Sequence, residues 1–133
     1  MGLNQPTISV SYPAIKDVKL TITTNSGKKD PSTWLSAELI CNGQVIADYL
    51  DKGSLIRQNS KDPLQLYVKH QQQLDPKNTR CELKFELSGT YQKYWNFDSY
   101  LVLNLSDGLP RTYYLNWKLT KTKSREIQAL PLQ

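Results

Sequence analysis

Histidine occurs once in this chain of 133 residues, as His70, and cysteine twice, as Cys41 and Cys81. A Ser-His-Asp or Cys-His arrangement would have to use His70, which ends a predicted strand, and neither cysteine falls in a loop that would expose a thiolate. Two cysteines and one histidine also fall short of four zinc ligands at recognised spacings. The six glycines stand singly, so no glycine-rich phosphate loop is present. No Asp-x-Asp pair supports a calcium site, and the carboxylates are scattered through turns and polar strand faces rather than paired for glycoside hydrolysis. No catalytic residue, metal ligand or cofactor site is expected.

Long apolar runs are missing as well: no stretch of eighteen apolar residues exists to span a membrane as a helix. The opening MGLNQPTISV lacks the basic, apolar, small-residue order of a signal peptide, and Pro6 stands where N-myristoylation wants Ser or Thr. A cytoplasmic location is therefore the default expectation, with non-classical release as the other route. Cys41 and Cys81 are expected as small buried residues in a reducing compartment, or as one disulfide, since both are predicted to face inward.

What is present is alternation of apolar and polar residues, repeated along the chain. Residues 7–12 and 17–24 have the period of two of a half-buried strand. Residues 34–41 and 44–50 flank Asn42-Gly43, the pair a type I′ turn selects, and predict a hairpin. A two-residue loop pairs Cys41 with Gln44, Leu39 with Ile46, Ala37 with Asp48 and Leu35 with Leu50 on the face assigned to the core. Leu55 and Ile56 suggest a short edge strand, and residues 64–70 and 80–88 alternate again. Residues 100–105 and 111–120, joined through Ser106-Asp107-Gly108, read as a second hairpin, with Tyr113, Leu115, Trp117 and Leu119 on one side. Residues 121–133 lack a strong period and are expected to form a helical turn or a mobile tail. The whole of 1–133 thus reads as one all-β domain, an antiparallel β-sandwich of about eight or nine short strands, with a small β-barrel as the alternative.

Between two of these strands lies GTYQKYWNFDSY, residues 89–100, with five aromatic rings. Rings offer a large apolar face and, in Tyr and Trp, a polar edge, so they stack on sugars, fill protein interfaces and settle at membrane surfaces. Read as a loop, this stretch makes Tyr91, Lys93, Tyr94, Trp95, Phe97 and Asp98 the candidate ligand-binding residues. The competing reading has Trp95 and Phe97 closing one end of the core. Arg111, Lys118, Lys121, Lys123 and Arg125 form a candidate basic patch on a chain of net charge +5. The expectation is a non-enzymatic binding or interaction module recognising a carbohydrate or a protein through the aromatic loop. A membrane-binding, cytolysin-like sandwich is second, and a nucleic-acid-binding module third.

Overall fold

The computed structural model describes residues 12–27, 33–52, 63–89 and 94–132. Eight strands run in chain order: β1 Ile15–Gly27, β2 Thr33–Cys41, β3 Gln44–Lys52, β4 Leu64–Val68, β5 Cys81–Gly89, β6 Tyr94–Leu105, β7 Pro110–Thr120 and β8 Arg125–Leu130. All pair antiparallel in one sheet of order β7-β6-β1-β4-β3-β2-β5-β8. The sheet rolls so far round that its two edges meet, making a nearly closed barrel. Its weakest pairing is at β4, which shares three rungs with β1 and two with β3. There the sheet divides into two four-stranded halves facing each other. No helix among the described residues is long and apolar enough to cross a membrane. The strands expected at residues 7–12 and at Leu55–Ile56 fall, apart from Tyr12, outside the described residues.

The seam between β7 and β8 is closed mainly by side chains. Gln128 Nε2 donates to the Asn116 carbonyl at 2.6 Å, the Lys118 amide donates to Glu126 Oε1 at 3.4 Å, and Tyr113 Oη donates to the Pro131 carbonyl at 3.0 Å. Free strand edges invite pairing with another chain, and these contacts occupy the two that this fold leaves. Residues 125–130, expected as part of a helical or mobile tail, are a strand paired with β5 through six rungs. Glu126 and Gln128 lie opposite the inward-facing Phe85 and Leu83, so polar residues fill core-phase positions and serve the seam instead.

The hairpin of β2 and β3 forms on its predicted turn, with Asn42 and Gly43 both at positive φ, 51° and 78°. Its register departs from the expected one. Cys41 pairs with Gln44 and Ile40 with Val45, but Leu39 then pairs with Ala47, because a bulge inserts Ile46. From there the faces exchange: Ala37 meets Tyr49 and Leu35 meets Asp51, while Leu50, assigned to the core, is exposed. One inserted residue moves every later side chain to the other face. Burial raises the pKa of the Tyr49 phenol, and the nearby Asp51 carboxylate adds to the effect.

Cys41 and Cys81 stand opposite one another on β2 and β5 and are joined by a disulfide. Of the two expectations for these residues, the bond is the one realised.

Inside the barrel the apolar phases of both halves meet. Phe85 of β5 packs edge-on against Phe97 of β6, centroids 5.1 Å apart, and against Trp117 of β7 at 4.6 Å. Trp95 lies 4.1 Å from Phe97. A buried indole N–H must find an acceptor. Trp95 Nε1 donates to Thr24 Oγ1 at 2.9 Å and Trp117 Nε1 to Ser99 Oγ at 2.8 Å.

Candidate binding face

The aromatic stretch is a strand from Tyr94 onward, and this decides where its rings go. Along β6 the inward phase is Trp95, Phe97, Ser99, Leu101, Leu103 and Leu105, all buried. Trp95 and Phe97, proposed from sequence as ligand contacts, are fully enclosed and are corrected to core residues. The physical reason is alternation: two residues apart on one strand, both must face the same side, and that side packs on Phe85. Tyr94 opens the strand opposite Thr120. Tyr91 and Lys93 lie outside the described residues. Asp98 takes the outward phase and is exposed.

That outward phase builds a surface that no single segment reveals. On β6 it presents Asn96, Asp98, Tyr100, Val102 and Asn104, opposite Lys118, Asn116, Tyr114, Thr112 and Pro110 of β7. Tyr100 and Tyr114 are direct cross-strand partners whose rings overlap face to face, 4.4 Å between centroids and 12° between planes. Each therefore covers one face of the other, and Tyr100, between β1 and β7, is half-buried. Tyr114 is 77% exposed.

The stacked pair has polar groups on both sides along the strands, already ordered by hydrogen bonds. Asn116 Nδ2 donates to Asp98 Oδ1 at 2.9 Å and to Asn96 Oδ1 at 3.0 Å, and Asn25 Nδ2 donates to the same Asn96 oxygen at 3.2 Å. Toward the other end, Asp17 on β1 accepts from Asn104 Nδ2 at 2.9 Å and from Gln65 Nε2 on β4 at 2.5 Å. These amides and carboxylates retain unused lone pairs and N–H groups that face water. The face joins an apolar ring surface to fixed donors and acceptors within one or two strand spacings.

The candidate basic patch is not one surface. Lys118 is exposed near one end of β7, with Lys121 and Lys123 in the turn that follows and Arg125 opening β8. Arg111 stands seven residues from Lys118, about 23 Å away along the strand, beside a small cavity lined with Tyr12, Pro13, Leu74, Pro76 and Leu132. Carboxylates interrupt the remaining four: Lys123 Nζ lies 3.5 Å from Glu126 Oε2, and Arg125 is opposite Glu86 in register. Lys84, on the neighbouring strand, is held by Glu38 at 3.3 Å and Glu86 at 3.5 Å.

Among the described residues no group of three or more His, Cys, Asp or Glu side chains converges as a metal site would require. His70 is exposed just beyond β4. The chain matches no protein-family model, no curated protein and no solved structure.

Proposed function

We propose that this protein is a non-enzymatic carbohydrate-binding module whose binding face is the outer surface of β7, β6 and β1. The observation that carries this reading is the Tyr100–Tyr114 stack with its flanking amide and carboxylate groups. A pyranose ring has one face made largely of C–H bonds and a rim of hydroxyls, each both donor and acceptor. The free face of Tyr114 suits the former, and Asp98, Asn96 and Asn116 suit the latter. Their mutual hydrogen bonds fix rotamers before a ligand arrives, which lowers the ordering cost of binding. The site keeps the ligand class expected from the sequence, and keeps Asp98, but moves the rings from Trp95 and Phe97 to the two tyrosines.

The disulfide bears on location. A Cys41–Cys81 bond persists in oxidising surroundings and is reduced in most cytosols, which supports an oxidising compartment or the exterior over the cytoplasmic expectation. Extended polysaccharides are abundant outside cells, which agrees with the proposed ligand.

A protein partner is a second reading, favoured by a different surface. Trp34 of β2 and Leu50 of β3 are diagonal neighbours on the outside of the other half-sheet, 46% and 44% exposed. Paired apolar side chains of this kind are typical centres of protein contacts. The two readings use different residues and separate cleanly. Glycan-array screening followed by calorimetry is the test: Tyr114→Ala is expected to weaken glycan binding at least about tenfold, in line with removing an aromatic anchor that the ligand covers, while Trp34→Ala leaves it unchanged. Binding that survives Tyr114→Ala and Tyr100→Ala would overturn the proposal.

A further inference from the structure

The same outer surface carries, besides Tyr114, a second exposed tyrosine that the stacked pair does not explain. Tyr67 on β4 is 70% exposed. Val18 of β1 pairs with Leu66 on one side and Leu103 on the other, and Lys19 with Gln65 and Val102. Continuing that register sets Tyr67 beside Asp17, four residues along from Thr21, the partner of Tyr100. Between the two aromatic stations lie Lys19, Gln65 and Asp17. The Asp17 carboxylate is anchored from both sides, by Gln65 of β4 and Asn104 of β6, so it crosses the gap between strands as a fixed acceptor.

The separation of the stations sets a ligand length. Two inter-strand spacings and four residues of rise put Tyr67 about 16 Å from Tyr100, a distance that takes about four sugar units to cover. A monosaccharide or disaccharide reaches one station only. The carboxylates of Asp17, between the stations, and of Asp98, just beyond the tyrosine pair, hold acceptors and repel anions, whereas among the described residues Lys19 is the cation set between the stations. Uronates and sulfated chains are therefore disfavoured despite the basic net charge.

Resting on the carbohydrate reading above, we infer that the ligand is a linear, uncharged glycan laid diagonally across β6, β1 and β4. One unit stacks at the Tyr100–Tyr114 pair and a later unit at Tyr67, and the intervening hydroxyls meet Asp17, Gln65 and Lys19. Tyr67 is thus a chain-length determinant, a second subsite joined to the first by the ligand itself.

Calorimetric titration of the intact protein with linear β-glucan, xylan and mannan oligomers, graded from dimer to hexamer, tests this, with oligogalacturonate as the charged probe. For at least one neutral series, affinity is expected to rise about tenfold or more from dimer to tetramer, as a second linked contact allows, and then to level off. Tyr67→Ala should keep the dimer affinity and abolish the rise; Tyr114→Ala should weaken every length. A Tyr67→Ala protein with the wild-type length dependence would overturn the inference while leaving the platform standing, as would tighter binding of oligogalacturonate than of any neutral oligomer. If no oligomer binds the wild-type protein, the platform reading falls and this inference with it. Unchanged thermal melting of both variants guards against a folding artefact.

Discussion

β6 and β7 carry two aromatic groups back to back, and the contrast between them is instructive. Inward, Trp95, Phe97 and Trp117 are sealed from water; Phe97 and Trp117 touch Phe85 of the opposite half, Trp95 packs on Phe97, and both indole N–H groups are satisfied on Thr24 and Ser99. Outward, Tyr100 and Tyr114 stack on each other, Tyr100 half-buried between β1 and β7 and Tyr114 largely exposed to solvent. The composition is similar and the strands are the same. Only the parity of the residue number differs, and it separates a group that makes the fold from one available to a ligand.

Several substitutions would break or sharpen this contrast. The largest effect is expected from Trp95→Ala, which empties a fully enclosed volume and should cost about 3–5 kcal/mol in chemical denaturation. A cost under about 1 kcal/mol would mean that the ring is not core. Ser99→Ala should cost about 1–3 kcal/mol, because it strands the buried Trp117 N–H without an acceptor. Retaining full stability would show that the indole finds another partner. Tyr114→Ala sits on the other side of the comparison, losing one exposed cross-strand stack worth about 1 kcal/mol or less, so its melting curve should nearly overlay that of the wild type while glycan binding drops.

The smallest effect is an alkaline one. Tyr49 and Tyr113 have pKa values raised above the ordinary 10.0 chiefly by burial. Above pH 10 the unfolded chain releases these protons while the folded chain still holds them, so stability falls as pH rises from there through the raised values. Below pH 10 both phenols are neutral in either state and contribute no slope. Denaturation midpoints measured across this range should decline only on the alkaline side. Tyr49→Phe should make the decline shallower.

Most of the fold was written plainly in residue alternation. The hairpin turn at Asn42-Gly43, the two-faced β5 and the apolar side of β7 all follow from period two and turn chemistry. Three features did not follow, each for a physical reason. The bulge at Ile46 leaves no mark, because Ile46 and Ala47 are both apolar and either register looks acceptable until Asp51 is found inside. β8 is hidden because its core-phase positions hold Glu126 and Gln128, spent on the barrel seam, while Ile127 points outward. Trp95 and Phe97 read as loop rings because the predicted strand begins at Tyr100. The alternation in fact runs back through Phe97 to Trp95, and extending it would have sent both rings inward and lined up Asn96, Asp98 and Tyr100 opposite Lys118, Asn116 and Tyr114. Tyr67 gave no local signal at all; its relation to Tyr100 depends on β1 lying between β6 and β4, a matter of topology.

The central claim is that the outward parity of β6 and β7 is a glycan-binding surface. Amide chemical-shift mapping during titration with a neutral linear oligosaccharide tests it most directly. The account predicts concentration-dependent shifts gathered at Asn96, Asp98, Tyr100, Tyr114 and Asn116, with Phe85 and Trp117 little changed. Shifts confined to the Trp34–Leu50 surface, or none up to millimolar ligand, would contradict it.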